Sequence, residues 1–214
     1  MRGLTSSDNN EASIGIGALI IFIAMVLVAG VTASVMLQVM NSMQQQALST
    51  GQDTIREVSS GLKVTHISGY SDGSSITQLA IFLSTSAGSN DIDLTYTKIS
   101  LSESTEQVIL DYSSNLFSGS VSGGIFSTLN AGNMSSTTFG VIVIRDIDSS
   151  CISSSPVINR DDLVVLIVNA TDCFLGIGAR TDIEGTIVPE YGINGLIRFT
   201  TPSVYIDDII ELQP

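Results

Sequence analysis

From Ala12 to Gln52 the chain carries no charged side chain; the flanking charges are Glu11 and Asp53. Within that interval, residues 14–40 read IGIGALIIFIAMVLVAGVTASVMLQVM and show no polar stripe at helical spacing before Gln38. A bilayer crossing takes about 20 apolar residues as helix, so the stretch is long enough to span one. A helix that is apolar all round has to be buried, either in lipid or inside a large assembly. The rest of the chain must be compatible with one of these two outcomes.

The helix does not end with the apolar run. Residues 41–60 are amphipathic, with Ala47, Ile55, Val58 and then Leu62 at helical spacings and Gln, Asp, Arg and Glu between them. Gly51 weakens the helix modestly and Gly61 is a natural stop. A single helix over 14–60 would be about 70 Å long at 1.5 Å per residue, well beyond what a membrane requires. Gly15, Gly17, Ala18, Ala24, Gly30 and Ala33 along the apolar part permit close approach of a second helix. An ordinary single-span anchor is also consistent with this pattern. Residues 1–12, MRGLTSSDNNEA, are polar and precede the apolar run directly. A secretory signal has its apolar core before the cleavage point, so a leader here would be cut ahead of the run and leave it in the mature chain.

After residue 61 the pattern changes. Ser, Thr, Val, Ile and Gly dominate, and segments of strand character fall at 62–68, 76–84, 93–101, 107–112, 138–145, 163–169, 183–188, 196–200 and 205–212. The fold class expected is α+β: a long N-terminal apolar helix followed by an immunoglobulin-like β-sandwich. Segments 138–145 and 163–168 are almost continuously apolar, as central strands are. Residues 113–136 are rich in Ser and Gly, and the expectation is a long exposed loop.

The formal net charge is −13, which leaves no basic face for nucleic acid. Catalysis is not expected: a single histidine, His66, leaves little room for a Ser–His–Asp arrangement or a multi-His metal site, and a phosphate-binding GxxxxGK[ST] loop is absent. The candidate metal ligands are Asp146, Asp148, Asn159 and Asp161. Asp146 and Asp148 share one side of an extended chain, and the loop between the two central strands can return Asn159 and Asp161 beside them; hard oxygen ligands of this kind suit Ca²⁺, although the spacing is not an EF-hand. Solvated loop acids are the alternative. N-glycosylation acceptors are Asn133 (Asn-Met-Ser) and Asn169 (Asn-Ala-Thr), with Asn133 in the presumed loop and Asn169 at a strand end. Cys151 and Cys173 could pair in an exported chain or remain buried free thiols. If segments 138–145 and 163–169 form a hairpin, the two cysteines sit beyond its opposite ends, which weighs against pairing.

The opening SIGIGALIIFIAMVLVAGV, the following QQQALSTGQDTIREVSSGLKV, the core pieces PVINRDDLVVLIVN and GTIVPEYGINGLIRFTTP, and the C-terminal IIELQ resemble archaellins, the archaeal flagellins. The resemblance runs over nearly the whole chain and is most specific at its two ends. It implies a leader over 1–12, removed between Ala12 and Ser13 by a prepilin-type leader peptidase, a helix over 13–61 that waits in the membrane and then forms a filament core, and an outer domain over 62–214. It implies an extracellular archaellum filament for swimming, built from copies of this chain and related archaellins, and a structural metal in the outer domain. Two departures stand out. Glu11 and Asn10 occupy places where family leaders carry basic residues, and Arg2–Gly3 offers an alternative cut by residue type. Type IV pilins carry Glu five residues into the mature chain, whereas Gly17 stands there in this one, as in archaellins. An adhesive type IV pilus-like filament and a membrane-anchored surface-binding domain are the competing readings.

Overall fold

A computed structural model of the chain describes residues 6–104 and 106–213. It divides between Asp53 and Thr54 into two compact units. The first is helix; the alternative cut at Arg2–Gly3 lies outside the described residues.

Helix α1 runs unbroken over Ser6–Ser59, 54 residues and about 80 Å, so the helical conformation extends back through part of the expected leader and includes the Ala12–Ser13 bond. Arg56 lies in its last turn, where a cation complements the carbonyl end of the helix dipole. The Ser60 amide still donates to the Arg56 carbonyl at 2.9 Å, and the chain then leaves for the first strand.

The second unit is built from β1 (Leu62–Ser71), β2 (Ile76–Thr85), β3 (Ile92–Asp93), β4 (Lys98–Glu103), β5 (Glu106–Ser118), a one-turn helix α2 (Ile125–Thr128), β6 (Thr138–Arg145), β7 (Cys151–Ile152), β8 (Ser155–Ile158), β9 (Leu163–Asn169), a short helix α3 (Ala170–Phe174), β10 (Asp182–Val188), β11 (Gly195–Thr200) and β12 (Ile209–Gln213). Nine strands form one sheet in the order β11-β10-β4-β5-β6-β9-β2-β1-β12. The sheet curls until its two end strands approach: the Arg198 amide on β11 donates to Gln213 Oε1 on β12 at 3.0 Å. The expected sandwich is thus one nearly closed sheet whose halves face each other across a common core. The pairs are antiparallel except β5–β6, which is parallel and needs the crossover that carries α2. A small sheet, β3-β8-β7, lies apart from this one.

Alternation along the central strands divides their side chains between two cores. Val164, Leu166 and Val168 of β9, with Val141 and Phe139 of β6, enter the main core. Val165, Ile167, Ile142 and Ala80 point to the other face, where Leu116, Leu129 and Met134 cover them, with Phe82, Ile125 and Phe126 packed alongside. This corrects the reading of residues 113–136 as an exposed loop. β5 continues through Ser118, and α2 and a 3-10 turn at Ala131–Asn133 lay a few apolar residues over the outer face of the central strands. A strand that is apolar on both faces needs such a cover, and here it comes from a segment too poor in apolar residues to reveal itself by periodicity.

Other boundaries shift for local reasons. The strand expected over 93–101 is broken by a 3-10 turn at Leu94–Tyr96, because the Asp93 side chain accepts the Thr95 amide at 2.8 Å. The last strand begins at Ile209 rather than at Tyr205. Tyr205 is buried from the preceding loop, and its hydroxyl donates to the Ile177 carbonyl at 3.1 Å. His66 sits on β1, its ring 5.3 Å from that of Phe82 and its Nε2 2.8 Å from Ser68 Oγ.

Candidate functional site

The largest chemical anomaly of the chain is helix α1. Between Ile14 and Met40 every large apolar side chain is at least 49% exposed, from Ile23 at that lower bound to Ile14 at 72%. Burying a single such side chain is worth about 1.5–3 kcal/mol relative to water, so the whole set amounts to tens of kcal/mol. No water-exposed state of this helix is tenable.

The acidic cluster is the second feature. β6 ends at Arg145 and delivers Asp146; the turn that follows puts Ser149 at φ 60° and returns the chain into the β7–β8 hairpin. β8 then leads to Asn159 and to Asp161, at φ 68°, just before β9. One carboxylate oxygen each from Asp146, Asp148 and Asp162 lies within 4.8 Å of the others. Backbone amides organise them. Cys151 N donates to Asp146 at 3.0 Å, Ser150 N to Asp148 at 3.1 Å, and Asn159 N to Asp162 at 3.0 Å. Asn159 belongs to the group through its Nδ2, which donates to Asp148 at 2.7 Å.

Asp161 does not belong to the group. Its carboxylate points to Arg160, 3.6 Å away, and its carbonyl accepts Arg145 Nε at 2.6 Å. Its place is taken by Asp162, only 2% exposed and not anticipated from spacing. The available signal was the pair Asp161-Asp162 before an apolar strand: the left-handed turn at Asp161 rotates one carboxylate outward and buries the next. Hydrogen bonds from Ser150 and Asn159 hold the Asp148 carboxyl below its ordinary range. Burial, then the charges of Asp146, Asp162 and Asp93, push the Cys151 thiol up to about 12.

The two cysteines are free and buried. Cys151 follows β6 and Cys173 follows β9; the strands pair antiparallel, Arg145 opposite Leu163. They therefore lie beyond opposite ends of the ladder, separated by roughly 20 Å of strand. This corrects the disulfide alternative. Burial first, then Asp172, raises the Cys173 thiol to about 11.

The two sequons differ sharply. Asn133 is exposed at the end of the 3-10 turn. Asn169 is 7% exposed and caps α3: its Oδ1 accepts Thr171 N at 3.1 Å, and its Nδ2, the atom a glycan would occupy, donates to the Ala131 carbonyl at 3.1 Å.

Comparison with known proteins places these features in context. The model of the archaeal-type flagellin family matches residues 12–199. Flagellin B2 of Methanocaldococcus jannaschii is 42% identical over 207 residues, covering 95% of each chain. Flagellin B4 of Pyrococcus abyssi is 39% identical over 218 residues, covering 96% of this chain and all of its own. Among solved structures, archaeal flagellin FlaB1 from M. jannaschii superposes with a TM-score of 0.65 at 34% identity, over 72% of this chain and 97% of that one. The archaeal flagellum of Methanospirillum hungatei has the same fold, with a TM-score of 0.66 at 19% identity over 94% of this chain and 99% of that one.

Proposed function

Because the chain belongs to the archaeal-type flagellin family, we propose an assembly route in which α1 first rests in the cytoplasmic membrane and then passes directly into the core of the filament. The protein is a structural subunit of the archaeal swimming filament, polymerising through α1 and displaying the β domain. The observation that carries the route is the charge-free helical run over residues 14–37, apolar except for Thr32 and Ser34. Lipid and a bundle of like helices are the two settings that satisfy it. A heterologous contact that does not close on itself extends such a bundle into a filament.

In this reading a prepilin-type leader peptidase cuts between Ala12 and Ser13 before assembly, the mature subunit lies outside the cell, and its work is mechanical rather than catalytic. The cut removes Asp8 and Glu11, acids that would otherwise enter the core with every subunit. Electron microscopy of sheared filaments, with N-terminal mass spectrometry on the same sample, tests it. The expected result is filaments whose subunits begin at Ser13. Protein found intact and unpolymerised in the membrane fraction would overturn it.

The outer domain carries two further assignments. Asp146, Asp148 and Asp162 are proposed to hold a Ca²⁺-sized cation, with Asn159 orienting Asp148. In support, three hard oxygen donors converge within 4.8 Å, one of them on a buried residue, and a divalent ion neutralises charges that otherwise repel. The six backbone and side-chain N–H bonds to these carboxylates are the competing means of stabilisation. The experiment is calorimetry with and without chelator. The melting temperature of the outer domain is expected to fall on chelation by several degrees, about 1–3 kcal/mol by mass action, and Asp162→Asn should abolish that response. Identical curves would remove the cation from the account.

For glycosylation, Asn133 is proposed as the modified residue and Asn169 as unmodified. Peptide mapping of mature filaments should place any mass excess on the Asn133 peptide. A glycan on Asn169 would contradict its buried capping role.

A further inference from the structure

Leu175 carries two costs at once. It ends helix α3 with φ 58° and ψ 23°, a left-handed conformation usually left to glycine, and its side chain is 93% exposed. The backbone alone makes this turn: the Leu175 amide donates to the Ala170 carbonyl, and so does the Gly176 amide at 3.2 Å. A glycine at 175 would serve the turn as well. Within the domain the leucine brings strain and exposed apolar surface and, at that exposure, almost no packing. Val204 and Ile206 stand at the same end of the domain, 65% and 88% exposed. They flank buried Tyr205, whose hydroxyl donates to the Ile177 carbonyl two residues beyond Leu175. The three make an apolar knob beyond the finish of β9.

The opposite end of the same domain carries a hollow of about 480 Å³. Val143 and Ile144 at the finish of β6, with Ile152 of β7, give it apolar walls, and Ile144 and Ile152 are themselves exposed. Arg145, also on the wall, pairs with Leu163, the first residue of β9. Hollow and knob are therefore separated by the length of that strand, roughly 20 Å. Their rims differ in charge. Around the knob the exposed acids Asp72, Asp207 and Asp208 outnumber the cation Arg180. At the hollow Arg145 and the exposed Arg160 both stand beside Asp161. Asp146, the acid of the wall, is turned to the amides of Ser150 and Cys151.

From this polarity we infer that the Leu175–Val204–Ile206 knob of one outer domain enters the Val143–Ile144–Ile152 hollow of a second copy of this chain. The inference rests on the filament reading and adds to it a contact that α1 does not make. The occupant is a second copy because knob and hollow match in apolar character and in rim charge and lie on different surfaces of one chain. A contact between different patches is heterologous. It leaves a free knob at one end of each pair and a free hollow at the other, and so extends without closing. A contact of knob with knob would stop at a dimer and would bring like charges together. Burial of Leu175 on assembly offsets, in the filament, the strain and exposure that the isolated domain carries.

Paired cysteines in filaments of the full chain test this, in a background where Cys151→Ala and Cys173→Ala remove the native thiols. Leu175→Cys with Ile144→Cys in one chain is expected to give, on mild oxidation, a ladder of disulfide-linked dimers, trimers and longer species. Each single variant should stay monomeric, since a disulfide needs Cβ atoms within roughly 4.5 Å. Dimers from Leu175→Cys alone would show knob against knob and overturn the inference. Leu175→Gly, with the native cysteines in place, is the second variant, because glycine suits the left-handed turn. Dispersed in detergent it should melt as the native chain does, while its filaments should dissociate at a temperature several degrees lower. Filaments of the paired variant that yield no ladder, or Leu175→Gly filaments as heat-resistant as native ones, would each overturn the inference and leave the filament reading intact. Failure of the native chain to form filaments at all would overturn both.

Discussion

Cells carrying Leu27→Asp should produce no surface filaments, whereas Leu27→Met should be indistinguishable from the native chain. Leu27 lies midway along the apolar run and is 64% exposed, and lipid and then other copies are the settings proposed for it. An acidic residue at the centre of a membrane helix costs about 2.5–3.5 kcal/mol at insertion. In a filament core an unpaired carboxylate costs several kcal/mol more, and every subunit would bring its own. A loss of about 3–4 kcal/mol per contact lowers an association constant by two to three orders of magnitude, enough to stop growth. Electron microscopy of the sheared fraction, with immunoblotting of membranes to verify that the protein is made, reads the outcome. Normal filaments from Leu27→Asp would mean that α1 is not buried in the polymer.

Gly192→Ala should lower the melting temperature of the outer domain by on the order of 10 °C, through a loss of about 2–4 kcal/mol. Gly192 has φ +99°, and a Cβ there would stand 2.4 Å from the Ser60 carbonyl oxygen and 2.6 Å from its carbon. Both atoms are backbone, so no rotamer change relieves the clash. The shift would strike the place where the end of α1 is tied into the sheet. Ile193 N donates to Ser60 O at 2.9 Å, Leu62 N to Ile193 O at 3.0 Å, and Ser86 N to Gly61 O at 2.9 Å. Ser60 is 1% exposed, so a polar group freed there finds no water. Gly73→Ala is the comparison: φ is +91° but no atom lies within 4 Å of the added methyl. It isolates the conformational cost, about 1 kcal/mol. Equal melting of the two variants would show that the 189–193 turn does not clamp the junction.

Acid should weaken the same domain. Asp148 and Asp72 both have carboxyls held below their ordinary range, Asp148 by Ser150 and Asn159, and Asp72 by the amides of Ser75 and Ser74. A group whose folded value is depressed adds stability that is present above its unfolded value and is lost as pH falls through the folded one. The outer domain is therefore expected to keep its melting temperature down to the ordinary carboxylate range near pH 4 and to lose it below, as thermal scans across that range would show.

Residues 14–40 announced the helix and its need for an apolar setting because that signal is local: a run without charge or stripe has few physical outcomes. β6 and β9 were legible for the same reason, being apolar at consecutive positions. The segment 113–136 was not, because Leu116, Leu129 and Met134 are isolated in sequence. They acquire a role only when the face of β6 and β9 that needs covering is in place. The acidic cluster was half legible. Asp146, Asp148 and Asn159 follow from strand alternation and a returning loop, but which of two adjacent aspartates turns inward depends on the left-handed turn at Asp161. The cysteines were ambiguous as chemistry and resolved by position, since an antiparallel ladder holds them at opposite ends.

The sequence by itself determined that this chain must polymerise or remain in lipid, because the free energy of exposing α1 scales with apolar area and needs no knowledge of the fold. It also determined a β domain, because alternation is written residue by residue. Only the tertiary structure decided that the sheet nearly closes on itself, that Asp162 rather than Asp161 completes the cluster, and that Asn133 is exposed while Asn169 is buried. Each of these depends on which residues distant in the chain are brought within a few ångströms, and distance along the chain does not encode that.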